Sequence, residues 1–485
     1  MRLLLASSEV YPYSKTGGLA DMVAALAKSL GRAGHQVGLI TPLYGAVRQK
    51  HPDLQPFDWE IDLPLGTHRV QAQVRTATPS ENLTIYFIDQ PGFYDRPGLY
   101  NEGGHDYLDN AQRFIFFSKC VAQMARYLPW HPEIVHVHDW QTALVPLFIL
   151  HQRSYEGWAG APRTCLTIHN LAYQGRFARW EYGLTNLPDH YFTPDGVEFY
   201  GDLNCLKAGI AYASLITTVS PRYAHEITTP EYGCGLDAVL RAREDSLIGI
   251  LNGVDEEEWN PARDPFLQFP YSPGHMEGKA GEKAALQKTL GLPARPEVPL
   301  FASITRLTAQ KGVDILLGAL EEMLATDLQF IMLGSGDSAL EAAFAALARR
   351  HPDKVAAVIG FNAGLSHRIE AGADFFLMPS LFEPCGLNQM YSQIYGTIPI
   401  VRATGGLDDT VVDFTEDEAG ATGIKFRDYS VRALAKAIRK ALVLYQHPEL
   451  LQRVRANGMA ADFSWARTTA RYVKAFQRLL ATRPQ

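Results

Sequence analysis

At 485 residues, with 47% hydrophobic and 20% charged side chains, the chain is long enough for two or three domains with real cores and has the make-up of an ordinary globular protein. A formal net charge of −7 without a Lys/Arg block excludes nucleic-acid binding as its main business. The longest apolar stretch, Ala143 to Leu150, contains Pro146 and falls far short of a membrane span, and the scattered Cys120, Cys165, Cys205, Cys234 and Cys385 point to free thiols in a reducing cytoplasm rather than a disulfide or zinc framework.

Taken in chain order, the pattern is strand, turn, helix, strand, many times over. The apolar run before Glu9 is too short for a signal peptide and reads as a buried strand over residues 2–9. Residues 18–34 carry helical spacing (Leu19, Met22, Val23, Leu26, Leu30), and 36–42 is the next strand. Strands follow at 83–89, 134–139, 163–170, 215–220 and 247–252, with helices at 110–127 and 141–153. The second half repeats the style. Strands fall at 300–305, 329–334, 355–360, 375–379 and 398–402, and helices at 313–325, 338–350, 388–395, 430–446 and 467–480. Residues 274–282 read as a surface loop. Several strands are near-continuous apolar runs, as in parallel sheets covered on both faces. The expectation is two doubly wound α/β units, with ligands beyond the C-terminal ends of the strands.

One hexapeptide occurs twice. Thr16-Gly17-Gly18-Leu19-Ala20-Asp21 is echoed by Thr404-Gly405-Gly406-Leu407-Asp408-Asp409. Paired glycines after a strand give a tight turn whose bare N–H groups can approach an anion or a sugar hydroxyl. Arg306 and Lys311 share a short loop after the strand at 300–305, where two cations suit a pyrophosphate. Glu383 lies in the turn Phe382-Glu383-Pro384-Cys385-Gly386, and Gly386, Leu387 and Asn388 can offer N–H groups to a phosphate where the next helix begins. His136-Val137-His138-Asp139-Trp140 and Thr167-Ile168-His169-Asn170 end at the open edge of the first sheet. His136 and His138 share one strand face with no evident third ligand, so no metal is assigned. There is no strict Asp-x-Asp either.

Together with Lys15, His169-Asn170-Leu171-Ala172-Tyr173-Gln174-Gly175 and Asn252-Gly253-Val254-Asp255, these motifs resemble the bacterial glycogen synthase and plant starch synthase family, in the family's order over essentially the whole chain. The resemblance implies a GT-B architecture: an N-terminal Rossmann-like domain over 1–252, a hinge over 253–264, a C-terminal Rossmann-like domain over 265–460 facing the first across a deep cleft, and a terminal helix over 461–485 packing back on the first domain. It implies retaining transfer of glucose from ADP-glucose to the nonreducing 4-hydroxyl of an α-1,4-glucan, with neither metal nor cofactor.

In that reading Lys15 meets the donor phosphates, with Gly18 and Asp21 beside it. Arg306 and Lys311 neutralise the departing ADP, and Gly386, Leu387 and Asn388 bind the distal phosphate. Gly405 and Gly406 bring N–H groups to the glucose or that phosphate. Glu383 holds glucose hydroxyls, His169 and Asn252 hold the glucose from the other side, and Phe361 faces adenine. Tyr100, Asp139 and Asn170 lie toward the acceptor. Many relatives in the wider superfamily carry a ribose-holding Glu where this chain has Tyr391. Alternatives are the same fold using UDP-glucose or making a short maltosyl product, a glucan phosphorylase, which would need pyridoxal phosphate, and an inactive glucan-binding protein.

Overall fold

The apolar runs become parallel strands with helices on both faces. The computed structural model describes residues 1–482. They separate into two units. The first comprises Met1–Val219, Ala224–Ile250 and the segment from Trp465 onward; the second comprises Ser220–Tyr223 and Leu251–Ser464.

The first unit holds a nine-stranded sheet. Its order is Leu247–Gly249, Leu215–Thr218, Arg163–Ile168, Ile134–His138, Arg2–Ala6, Gln36–Pro42, Leu83–Asp89, His68–Ser80 and Gln55–Leu65. From the first of these to Leu83–Asp89 every neighbouring pair is parallel. The last two strands form an antiparallel hairpin that joins the sheet beside Leu83–Asp89. The helix Trp465–Ala481 belongs to this unit and packs Tyr472 and Phe476 against His136.

The second unit holds a six-stranded sheet in the order Val355–Ile359, Gln329–Gly334, Leu300–Ile304, Phe375–Met378, Ile398–Arg402 and Ile424–Phe426, parallel throughout. Side chains alternate between faces, as the pleat requires. Phe301, Phe330, Met332, Phe375 and Leu377 join one core with the helices Val313–Met323, Ser338–Arg350 and Val431–Tyr445. Leu300, Ala302, Ile331, Leu333 and Phe376 join the opposite core with Leu286, Leu365 and Ile369.

One expectation needs correction. Residues 274–282 are not a surface loop: the helix Glu277–Thr289 starts there and buries Lys279, Glu282 and Lys283. Lys279 Nζ donates to Ala371 O, Tyr395 O and Thr397 Oγ1, and Lys283 Nζ reaches Asp374 at 2.7 Å. Glu282 accepts from the N–H groups of Gln268 and Phe269. Buried polar ends persist when hydrogen-bonded; each of these three is, and Lys283 is also ion-paired with Asp374. Residues 253–264 fall within the second unit. Trp259 lies flat between His367 (4.0 Å) and Tyr391 (3.8 Å), and Asp264 accepts from His367 Nδ1 at 2.7 Å and from the Tyr395 hydroxyl at 2.5 Å. Tyr391, noted for replacing a Glu, is thus one slice of an aromatic stack.

Candidate active site

Chemistry-bearing residues gather at the C-terminal strand ends of each unit. In the first unit, the strand Arg2–Ala6 runs into Ser7, Ser8 and Glu9, all buried. Glu9, which in the sequence only breaks an apolar run, organises the first Gly-Gly turn. Its carboxylate accepts from the Thr16 N–H at 2.5 Å, the Thr16 hydroxyl at 2.6 Å, the Gly17 N–H at 3.3 Å and the Tyr100 hydroxyl at 2.7 Å. Tyr100 also meets Ser8 Oγ at 2.7 Å, and burial holds its phenol well above the usual range. A charged residue in a strand continuation was the available signal, since a carboxylate buried there needs donors. Lys15 is exposed and pairs with Asp21 at 2.7 Å. Such an exposed pair is worth at most about 1 kcal/mol. Gly18 opens the helix Gly18–Arg32.

Asp139 and His169 end neighbouring strands. Asp139 takes a left-handed backbone conformation (φ 55°), unusual for a non-glycine residue and a mark of functional sites. Its carboxylate accepts from the N–H groups of His169 (2.7 Å) and Asn170. Burial nevertheless pushes its acidity to about 7, against those donors and with help from the Glu9 charge. His169 Nε2 lies 3.1 Å from His138 Nδ1, and burial pushes His169 down to about 3. His136 bonds Thr167 instead, at 2.6 Å, and its ring lies against that of His138, tilted by 43° with centroids 4.2 Å apart. Among the described residues no group of three or more His, Cys, Asp or Glu side chains is arranged to hold a metal ion. Asn170 Oδ1 accepts from the Ala172 N–H at 3.0 Å and so shapes the turn after the strand.

In the second unit, Lys311 Nζ meets Glu383 Oε2 at 2.6 Å, and Ser380 Oγ donates to the same oxygen at 3.2 Å. Glu383 is 6% exposed. The loops carrying this pair are laced together by the Leu381 N–H donating to Gln310 O. Arg306 is exposed and has no ion pair among the described residues. Its loop is held by Leu307 N–H to Ser335 O and Asp337 N–H to Leu307 O. Asn388 Nδ2 donates to Ile304 O at 3.0 Å, which ties the helix Asn388–Ile394 to the end of the strand that leads to Arg306. The N–H groups of Gly386, Leu387 and Asn388 have no acceptor among the described residues. Phe361 is 86% exposed.

Some residues expected to face the donor turn out to have internal duties. The Gly406 N–H is donated to Glu383 O (3.1 Å) and Pro384 O (3.2 Å), so it braces the Glu383 turn. A Cβ on Gly405 would lie 2.0 Å from Glu383 O, and one on Gly406 2.0 Å from Cys385 O. Asn252, expected beside His169, belongs to the second unit; its N–H is directed at the Cys385 sulfur and its buried Oδ1 has no partner.

Comparison with known proteins agrees with this layout. Residues 2–242 match the family model described as the starch synthase catalytic domain, and residues 291–460 match glycosyl transferases group 1. The chain is 47% identical to the glycogen synthase of Anaeromyxobacter sp. (strain Fw109-5), over 99% of this chain and 100% of that relative. Among solved structures it resembles the catalytic domain of starch synthase IV from Arabidopsis thaliana bound to ADP and acarbose, with a TM-score of 0.88 and 34% identity over 99% of both chains. Sucrose-phosphate synthase from Thermosynechococcus elongatus shares the fold at 18% identity, with a TM-score of 0.60 over 99% of both chains.

Proposed function

This chain belongs to the glycogen and starch synthase family, and from that membership we propose that it transfers glucose, with retention, from ADP-glucose to the nonreducing 4-hydroxyl of an α-1,4-glucan. The observation that carries the reading is in the second unit. An unpaired guanidinium at Arg306 and three unpartnered N–H groups at Gly386, Leu387 and Asn388 are joined by the Asn388–Ile304 bond. Cations and N–H groups left without partners form a receptor for a pyrophosphate.

In this mechanism the bond between the anomeric carbon and the ADP oxygen breaks as negative charge grows on the phosphates. Arg306 and Lys311 stabilise that charge, and fixed cations do so without reorganising at the moment of reaction. Lys15 supplies a further positive charge from the first unit. The acceptor 4-hydroxyl attacks on the face the ADP leaves, and its proton passes to the departing phosphate oxygen. Glu383 orients glucose hydroxyls and stabilises positive charge at the anomeric carbon. Its ion pair with Lys311 supports that role over covalent attack, because a paired carboxylate is a poorer nucleophile. A glycosyl adduct on Glu383 trapped for mass spectrometry would overturn this assignment. His169 and Asn252 contact the glucose, Phe361 stacks on adenine, and Tyr100, Asp139 and Asn170 line the acceptor side. Gly18, Asp21 and Gly405 shape the turns around the donor.

Among the described residues no helix is long and apolar enough to cross a membrane. With its free cysteines, four of them buried, the chain fits a reducing cytoplasm. The deciding comparison is the rate of glucosyl transfer to glycogen from ADP-glucose and from UDP-glucose. The reading expects ADP-glucose to be strongly preferred; transfer from UDP-glucose alone would replace the donor assignment.

A further inference from the structure

Behind His169 lies a buried file of histidines whose hydrogen bonds admit few proton placements. His138 Nδ1 and His169 Nε2 face each other at 3.1 Å. A neutral imidazole has one donor and one acceptor nitrogen, so two neutral rings in contact must place one proton between them. Both rings are held neutral, because burial drives the acidity constants of His138 and His169 far below the usual imidazole value. The carboxylate nearest His169, that of Asp139, is directed at its backbone N–H and not at its ring.

The remaining nitrogen of His138 decides where the shared proton sits. Nε2 is buried and has no partner. If His169 donated to His138, that Nε2 would carry a buried N–H with no acceptor, the rarest kind of orphan in folded proteins. If His138 donates, Nε2 is only a bare lone pair. The neighbouring ring obeys the same rule: the Nδ1 of His136 is buried without a partner, so its proton belongs on Nε2, which donates to Thr167 Oγ1 at 2.6 Å, and Thr167 in turn donates to Thr217 Oγ1 at 2.6 Å.

We infer that His138 is a positioning residue that fixes the tautomer of His169: His138 Nδ1–H donates to His169 Nε2, and His169 presents Nδ1–H to the substrate as a neutral donor. His169 then serves a sugar oxygen as a fixed hydrogen-bond donor and does not shuttle protons. The inference rests on the proposed role of His169 only for its last clause; the tautomer itself follows from the hydrogen bonds.

The test is nitrogen NMR on the full-length protein labelled with ¹⁵N-histidine, with His169 assigned from a His169→Gln spectrum. The expected result is a pyrrole-type Nδ1 and a pyridine-type Nε2 on His169. The reverse pattern, or fast averaging between the two, would overturn the inference. His138→Leu removes the donor and His138→Asn keeps an N–H near the Nδ1 position. The leucine variant should lose about 10-fold to 100-fold in turnover, the range typical of second-layer partners, while the asparagine variant recovers most of it at similar thermal stability. Equal activity in both variants would overturn the positioning role. If the tautomer is as stated but ADP-glucose with a maltooligosaccharide leaves the His169 resonances unmoved, the substrate-facing clause falls and the tautomer stands.

Discussion

The two Gly-Gly turns share five of six residues but are held by different physics. The first is pinned by a side chain: the Glu9 carboxylate gathers Thr16, Gly17 and Tyr100, while a Cβ on Gly17 or Gly18 would meet nothing within 4 Å. The second is pinned by backbone. Gly405 and Gly406 press against the carbonyls of Glu383 and Cys385, and the Gly406 N–H is spent on that contact. The same letters therefore make an open turn with an exposed lysine in one unit and a packed brace for Glu383 in the other. The backbones differ as well, Gly17 being extended (φ −156°) and Gly405 left-handed (φ 45°), so the repeated letters report neither one shape nor one chemistry.

The comparison can be broken first at the charged pair that the second turn supports. Lys311→Ala or Glu383→Ala should cost at least about 100-fold in turnover, as for loss of an oriented charge in a dry site. Steady-state kinetics checks this, and near-normal turnover in either variant removes the role assigned to it. The next effect separates the turns directly. Gly406→Ala should destabilise the protein by about 3 kcal/mol or more through overpacking, whereas Gly18→Ala should stay within about 0.5 kcal/mol. Thermal melts of the two variants side by side settle whether the turns differ in packing as described.

Glu9→Gln sharpens the account of the first turn. Losing the charge-assisted bonds should raise the KM for donor about tenfold with a smaller change in turnover. An unchanged KM would mean that Lys15 needs no such support. A separate effect concerns pH. Asp139 titrates near 7 when folded and near 3.8 otherwise. The folded state therefore binds the extra proton between these values, and the contribution of this group to stability falls as pH rises through that window. Asp139→Asn should melt above the wild type near pH 8, and the gap should close toward pH 4. A gap that widens toward low pH would reverse the sign.

Most of the scaffold was legible from periodicity. Strands such as Gln329–Gly334 and Ile398–Arg402 and the helices Asn110–Tyr127 and Ser338–Arg350 fall where the apolar pattern put them. The hairpin of Gln55–Leu65 and His68–Ser80 was missed because it forms no near-continuous apolar run, although Phe57, Trp59, Ile61, Leu63 and Leu65 alternate along its first strand with the period of a half-buried strand. The helix Glu277–Thr289 was hidden by its charges: Lys279 and Lys283 look solvated in one dimension, and the fold brings acceptors such as Ala371 O and the Asp374 carboxylate to them from about 90 positions away. The site was legible where glycine turns, cations and strand ends coincide. Glu9 was not, because its partners Thr16 and Tyr100 are brought to it by the fold. The internal duty of Gly406 was hidden for the same reason.

The central claim is acceptor-dependent glucosyl transfer from ADP-glucose, and the most direct measurement is ADP release from ADP-glucose with and without glycogen. The account predicts rapid ADP release only when glycogen is present, matched mole for mole by glucose added to the glucan and lost in the Lys311→Ala variant. ADP release that ignores glycogen, or none with either, would contradict it.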